Sequence, residues 1–472
     1  MKNIIYLSLI FTSCAENFSV QSLDIIDIIP VEWQYNFPPT SGLTGEWWET
    51  FEDTTLNKVF NEFNANSPDL KTIASRLEMA KQINIINNAP RFPSSSLGFN
   101  GNSRQQNLAA FGLSDDFFGG GENEGNNNQP TSFTSNNFGL NLSMQWELDL
   151  WRRVFNQTNA AKKDFESLNY EMSYLSFSLM VQLAKVYYTT VEAFQQFELA
   201  NETLESINQL AQIVSARYEK GLRSSLDFRL TQSSVSSSQA ILETRRQVYT
   251  GNIRRLEVML GRYPNGSYLI RPVLPTNLPK VEPLIPADIL DRRPDIQSAL
   301  SNLEAVSYRR AESISSFFPG VSLTSSAGTS SNELNDILNQ DYQVWSQGII
   351  VTLPLFRGRS LVANKNMQTE AVKIAEQDLV KKIITAFSEV EQSLFSENSN
   401  TILVDSYSEA AKQAEAAYKL SIERYDSGLI GLIAVLDSQQ RWFQARSQLI
   451  SANKAKIDTR LNLILALGGS SH

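Results

Sequence analysis

The chain has 472 residues, with 41 Lys and Arg against 50 Asp and Glu, and therefore a formal net charge of −9. An acidic chain of this kind lacks the basic surface that neutralises a phosphate backbone, which argues against nucleic acid as a partner. Apolar residues make up 42% of the sequence, enough for a core. The sequence contains no run of eighteen or more apolar residues, so a membrane-spanning helix is not predicted.

The first residues have the pattern of an export signal. Lys2 precedes a short apolar run that ends at Phe11, and small residues lead to Cys14. A basic end, an apolar segment too short to span a bilayer and small residues before a break are typical of such signals. We predict a lipoprotein-type signal peptide over residues 1–13, with Cys14 as a lipid-modified (palmitate-bearing) N-terminus. The alternative is a signal peptide that contains a thiol by chance.

Helices come first in the mature chain. An irregular N-terminal tail over residues 14–45 precedes a helical segment that Asp53 or Thr54 can cap. The dipeptide Ser67-Pro68 then combines a capping residue with a proline at the first helical position, which predicts a second helix.

Strand-like alternation follows. From Phe138 to Trp146 the even positions are apolar, while the odd positions are polar or glycine. A period of two with one apolar face indicates a β-strand, so we predict strands near 92–102 and 133–146. The glycine- and asparagine-rich segment 119–130 between them predicts a long solvated loop.

After the second predicted strand, the spacing between apolar residues changes from two to seven. Apolar residues recur at every seventh position from Phe165 to Val214, which is the pattern of a coiled-coil seam. No proline occurs from Trp151 to Tyr263, so one helix here would be about 100 Å long at ~1.5 Å per residue. Gly221 suits the turn after it, and the sequence predicts a long helical hairpin over 153–261.

The chain contains an internal duplication. The phrase RYEKGL at 217–222 returns as RYDSGL at 424–429, and the offset of 207 also relates Gly261 to Gly468. Period detection therefore predicts two structural repeats joined by a proline-broken linker. The first repeat covers 46–270, the linker 271–285 and the second repeat 286–468. The second repeat begins with one helix over about 287–316, continues with strands near 318–328 and 343–355, and ends with a helical hairpin over 359–467.

Four amphipathic strands are too few to close a barrel, for which about eight are needed. In lipid, an open sheet edge cannot remain unpaired. Several copies must therefore share one barrel: two copies would give eight strands and three would give twelve. The fold class is mixed α and β.

Seven segments together carry a family resemblance. In order along the chain, they are WWETFEDTTLNKVFNEFNANSPDL, MQWELDLWRR, RYEKGLRSSLDFRLTQS, LDRRPDIQSAL, FFPGVSLTSSAG, LPLFRGR and RYDSGLIGLIAVLDSQQRWFQAR. The chain resembles the TolC-like outer-membrane factor family, in particular its lipoprotein branch, from about Gly45 to Gly468. This resemblance implies a tandem-repeat subunit of a homotrimer, with a twelve-stranded transmembrane β-barrel continued by a periplasmic α-helical coiled-coil barrel.

The resemblance also implies a function. Such proteins are exit ducts of tripartite efflux systems in the outer membrane of Gram-negative bacteria, here lipid-anchored and extending into the periplasm, and they conduct small molecules passively. The implied partners are a periplasmic adaptor (membrane fusion) protein, an inner-membrane efflux pump of the RND type and outer-membrane lipids. A type I protein-secretion duct is one alternative, and a structural periplasmic coiled-coil lipoprotein is another.

An enzyme is not predicted. The sole histidine is His472 and the sole cysteine is Cys14, and the sequence has no phosphate-binding loop, metal-ligand cluster or nucleophile motif. We therefore expect no cofactor, no metal and no catalytic residue.

The resemblance places a periplasmic gate at Ile433, Asp437 and Gln440. Ile433 and Asp437 are four residues apart and share one helix face. One Asp437 from each copy would form a ring of like charges that favours cations. The alternative is that Asp437 is an ordinary solvated helix residue.

The resemblance further implies contacts at the tips of the hairpins. Here Arg217, Tyr218, Arg424 and Tyr425 would hold neighbouring hairpins together by hydrogen bonds. Alternatively, the tyrosines pack in the seam and the arginines satisfy helix ends. Gly221 and Gly428 are predicted turn residues at the tips, where the adaptor docks in this family.

Overall fold

The computed structural model describes residues 29–30, 32–34, 46–107, 132–275, 278 and 285–468. The predicted lipid attachment at Cys14 and the predicted loop 119–130 lie outside these residues. So do most of the N-terminal tail and much of the linker.

The described residues form long helices and one sheet. The helices are α1 (Thr54–Asn66), α2 (Pro68–Asn88), α3 (Arg153–Glu219), α4 (Ser225–Met259), α5 (Asp288–Arg292), α6 (Pro294–Ser315), α7 (Ser360–Asp426) and α8 (Leu432–Ala466). The strands are β1 (Ser94–Asn107), β2 (Ser132–Leu148), β3 (Gly320–Ser331) and β4 (Gln343–Thr352).

The chain divides into two compact units. Among the described residues, the hairpin unit comprises those within Met1–Ala80, Glu166–Asn302 and Glu376–His472, and the sheet unit comprises those within Lys81–Phe165 and Leu303–Ala375. Each unit contains parts of both predicted sequence repeats.

The sheet unit contains one four-stranded antiparallel sheet in the order β1-β2-β3-β4. Its two faces differ in chemistry because side chains alternate along each strand. One face is largely apolar and includes the aligned row Leu97, Leu142, Ala327 and Trp345. The opposite face is polar and includes a row of four serines, one from each strand: Ser96, Ser143, Ser326 and Ser346.

Hydrogen bonds link the serines in this row. The hydroxyls of Ser96 and Ser143 are 2.8 Å apart, and those of Ser326 and Ser346 are also 2.8 Å apart. On the apolar face, large side chains stay open to the surroundings: Leu97 is 69% exposed and Trp345 is 76% exposed. The sheet is therefore amphipathic, and the described residues of one copy leave its apolar side uncovered.

Two helical hairpins of matching dimensions dominate the hairpin unit. Helices α3 and α7 each have 67 residues, and helices α4 and α8 each have 35. The seven-residue seam predicted along α3 is largely buried. Its buried members are Met172, Val186, Ala193, Ala200, Ile207 and Val214.

The ends of the two hairpins repeat one local geometry. Gly261 follows α4 at φ 71°, and a Cβ placed there would lie 2.9 Å from the carbonyl oxygen of Asn66. Gly468 follows α8 at φ 84°, and its Cβ would lie 3.0 Å from the carbonyl oxygen of Arg292. Each of these carbonyls is two residues before a proline that begins a helix, Pro68 or Pro294. This shared arrangement supports the duplication.

The structure corrects the single helix predicted over 287–316. The chain forms two helices, α5 and α6, separated by Arg293 in an extended conformation. The physical reason is Pro294, which disfavours the helical conformation in the residue before it. Arg293 is buried, and its guanidinium donates to Asp295 and Glu389 and to the carbonyl oxygen of Ala466.

The predicted end of the fourth strand is also wrong. We expected the strand to continue to about residue 355, but β4 ends at Thr352. Pro354 has no N–H group to donate to a neighbouring strand, which explains the earlier end.

The aromatic residues before α1 form a small core. Trp47 and Trp48 are buried, and the Trp48 ring stacks on Phe60 with centroids 4.3 Å apart. Asp53 is the N-cap of α1, accepting from the backbone N–H groups of Thr55 and Leu56.

No helix in the described part of the chain combines the length and apolar character needed to cross a membrane.

Candidate functional site: the hairpin tips

Both hairpins turn with the same backbone geometry. Gly221 and Gly428 each have φ 73°, a conformation that glycine adopts without a steric penalty. The N–H of Leu222 donates to the carbonyl of Arg217 at 2.8 Å, and the N–H of Leu429 donates to that of Arg424 at 2.8 Å. These bonds close the ends of α3 and α7 in the manner of a Schellman motif. The two glycines are therefore turn residues, as the sequence predicts.

Arg217 connects the tip of the first hairpin to the second. Its Nη2 donates to Asp426 Oδ1 at 3.0 Å, and its guanidinium carbon lies 5.6 Å from the centroid of the Tyr425 ring. Arg223 approaches the same ring at 4.4 Å. Tyr425 is 1% exposed, and its hydroxyl has no hydrogen-bond partner among the described residues. Two cations over an aromatic ring and one ion pair therefore join the tips.

The other two predicted tip residues do not take part in this contact. Tyr218 stacks on Phe228 in its own hairpin, with ring centroids 5.1 Å apart. Arg424 is exposed on α7, and its carbonyl accepts from the N–H of Leu429. Of the four predicted residues, the structure brings together Arg217 and Tyr425.

The three predicted gate residues lie on one exposed face of α8. Ile433 is 64% exposed, and Asp437 and Gln440 are exposed as well. Asp437 Oδ2 accepts from Arg441 Nε at 2.9 Å, an ion pair between exposed side chains one turn apart. The opposite face of the helix is buried and contains Leu432, Val435 and Gln439.

Gln439, Ser206 and Tyr418 form a buried polar cluster near the hairpin tips. Gln439 Nε2 donates to Ser206 Oγ at 2.7 Å and to Tyr418 Oη at 3.0 Å, and these two hydroxyls are 2.9 Å apart. Burial raises the pKa of Tyr418, and its contact with Ser206 offsets only part of this rise, so the hydroxyl stays neutral. Gln439 is 1% exposed, and its Oε1 has no partner within the described ranges.

Neither Asp426 nor this polar cluster is predicted from the sequence. For Asp426 one signal was available in the sequence. The offset of 207 between the repeats places acidic Asp426 of the second hairpin within two residues of the position that corresponds to basic Arg217 of the first. No comparable signal marks Gln439, because its partners are 21 and 233 residues away.

The described residues contain no group of three or more His, Cys, Asp or Glu placed to hold a metal ion.

Comparison with known proteins decides the family. The model of the family described as outer membrane efflux protein matches residues 59–262 and 285–469. The chain belongs to the outer membrane efflux protein family. The TolC-like resemblance predicted from the sequence is therefore confirmed.

Individual relatives agree with this assignment. The solvent efflux pump outer membrane protein SrpC of Pseudomonas putida is 28% identical over 435 residues, covering 89% of this chain and 86% of that protein. The CmeC outer membrane channel of Campylobacter jejuni has a similar structure, with a TM-score of 0.81 at 22% identity, covering 93% of this chain and 91% of that one. The open-state MtrE channel of Neisseria gonorrhoeae has a TM-score of 0.74 at 21% identity, covering 93% of this chain and 96% of that one. This efflux protein therefore has the fold of outer membrane efflux channels.

Proposed function

We propose that this efflux protein is the outer-membrane exit duct of a tripartite efflux system and conducts small toxic molecules passively. The observation that carries the proposal is the amphipathic four-stranded sheet with two open edges. Relatives named for solvent, toluene and antibiotic efflux support small molecules as the cargo.

The sheet has the dimensions of a membrane barrel segment. Its strands have 14, 17, 12 and 10 residues, and a tilted spanning strand needs about 9–11. One face is apolar and uncovered, as a lipid-facing surface requires, and the other carries serine, asparagine and glycine. A single copy therefore offers one wall of a water-filled conduit.

The two outer strands argue for an assembly of identical chains. Within the described residues β1 and β4 each pair with a single neighbouring strand. In hydrocarbon an open edge leaves backbone groups unsatisfied, at several kcal/mol each. Three copies joined edge to edge would give a closed twelve-stranded barrel, which is the homotrimer that the family resemblance implies. The partners in this proposal are a periplasmic adaptor and an RND-type inner-membrane pump.

The tip geometry supports a gate at the periplasmic end. Ile433, Asp437 and Gln440 form one exposed face, while Arg217 and Tyr425 tie the two hairpins together within one copy. In the proposed gate, the exposed face of α8 narrows the conduit, and breaking the contacts of Arg217 frees the second hairpin to move. Asp437 would supply the negative charge of the constriction.

The duct is tested by conductance. The purified full-length protein should form long-lived ion-conducting pores in planar lipid bilayers and migrate on gels as a trimer until heated. The same preparation after heating serves as the control, and it should leave the bilayer sealed. A protein that stays monomeric and does not conduct would contradict the proposal.

Lipid anchoring through Cys14 is a separate proposal. Its support is the lipoprotein-type pattern of residues 1–13. Mass spectrometry of the mature N-terminus should show a diacylglyceryl thioether on Cys14. An unmodified cysteine, or a mature chain that starts elsewhere, would exclude the anchor.

A further inference from the structure

A small pocket in the hairpin unit gathers positive charge. It lies between three helices and has a volume of about 190 Å³. Its charged lining residues are Lys185 of α3, Arg255 of α4, and Lys454 and Asp458 of α8. All four belong to the hairpin unit, so one copy of the chain builds the whole pocket.

The cations outnumber the carboxylates. Lys454 Nζ donates to Asp458 Oδ2 at 2.5 Å, and the Lys454 side chain is only 18% exposed. Lys185 Nζ donates to Asn462 Oδ1 at 2.5 Å, so its hydrogen-bond partner is a neutral amide and not a carboxylate. Arg255 has no ion pair within the described part of the chain. Three cationic side chains therefore face one carboxylate.

The local electrostatics favour an added negative charge in this pocket. Burial lowers the pKa of the Lys185 ammonium, Asp458 opposes that effect, and Lys454 adds to it by repulsion. Confining like charges in a partly desolvated site is unfavourable unless a counter-charge accompanies them.

The duplicated architecture does not require these cations. At the positions 207 residues away in the other repeat, the sequence has neutral side chains. Lys185, Arg255 and Lys454 correspond in this way to Gln392, Asn462 and Gln247. The two hairpins have the same helix lengths although each has neutral residues at the positions that correspond to the cations of the other. Packing of the long helices is therefore not the reason for the positive charge.

We propose that this pocket binds a small oxyanion, namely a carboxylate or phosphate group. Arg255 can offer a planar pair of N–H donors to such a group, and Lys185 supplies a compact positive charge. The pocket volume is large enough for such a group. The source is either a free inorganic anion or the acidic end of a transported molecule. Binding at this pocket does not depend on the proposed duct, so either proposal can fail alone.

The test uses the purified full-length protein in detergent. Calorimetric titrations with inorganic phosphate and with benzoate are performed at constant ionic strength. Lys185→Gln and Arg255→Gln should each weaken binding of the probes by about tenfold or more, since each removes a charged hydrogen-bond donor from the pocket. Lys456→Gln is the matched control, because Lys456 is on α8 but does not line the pocket.

Two results would overturn the proposal. One is an absence of saturable binding of either probe to the unaltered protein. The other is an equal loss of binding in Lys456→Gln and Arg255→Gln, which would indicate general surface attraction. Binding of phosphate alone would support a site for a free inorganic anion, and binding of benzoate would support a site for acidic solutes. Arg255 is exposed, so its variant is expected to fold, and circular dichroism checks this.

Discussion

Replacing Leu142 by arginine tests which face of the sheet meets hydrocarbon. Leu142 is in the second of the four strands, opposite Leu97 on one side and Ala327 on the other. Its side chain is 52% exposed on the apolar face. Ser143→Arg is the matched control, because Ser143 is the next residue and belongs to the polar serine row on the opposite face.

The expected loss of folding free energy differs between the two faces of the sheet. An arginine on the lipid side near the bilayer midplane costs about 2–4 kcal/mol, which corresponds to roughly a 30- to 1000-fold lower folding equilibrium constant per subunit. Ser143→Arg removes a hydrogen bond with Ser96, worth about 1 kcal/mol, but leaves the new charge in water. Leu142→Arg should therefore be the more destabilising change.

Folding into lipid vesicles measures this difference. Each variant is titrated with urea in the presence of vesicles, and the folded fraction is read from heat-modifiable migration on gels. If Ser143→Arg destabilises the protein as much as Leu142→Arg, or more, the assignment of the lipid face is wrong.

Three further predictions concern the hairpins. Asp437→Ala should raise bilayer conductance or reduce block by divalent cations; unchanged values would remove Asp437 from the gate. Arg217→Ala should raise the conductance of the resting channel by releasing the second hairpin, and Asp426→Ala should do so in part; an unaltered resting conductance would exclude this lock. Gly468→Ala should lower the free energy of unfolding by about 1 kcal/mol more than Gly221→Ala, because both have positive φ but only Gly468 has backbone atoms close to an added Cβ. Equal melting temperatures would contradict this reasoning.

Local periodicity explains why so much of the fold could be predicted. Alternation in steps of two marked the strands from Phe138 onward, and steps of seven marked α3. The recurrence of RYEKGL as RYDSGL indicated two hairpins, which the structure shows with equal lengths. The exact repeat and linker boundaries stay a prediction.

Predictions failed where a proline changed the local backbone. The periodic pattern continued through Arg293, but the residue before a proline avoids the helical conformation, so one expected helix became two. A proline also ends β4, which stops two residues before Pro354, because proline has no N–H group to donate to a neighbouring strand. In both places the sequence contained the necessary information, but a pattern read over a long window concealed it.

The sequence by itself determined the repeat, the element types and the two glycine turns, because each depends on neighbouring residues or on a short period. Only the tertiary structure decided which tip residues meet. Arg217 contacts Asp426 and Tyr425, more than 200 residues away, while Tyr218 stays in its own hairpin. The cationic pocket likewise needs α3, α4 and α8 to converge. Such contacts depend on how helix faces pack against one another, and no local pattern encodes that packing.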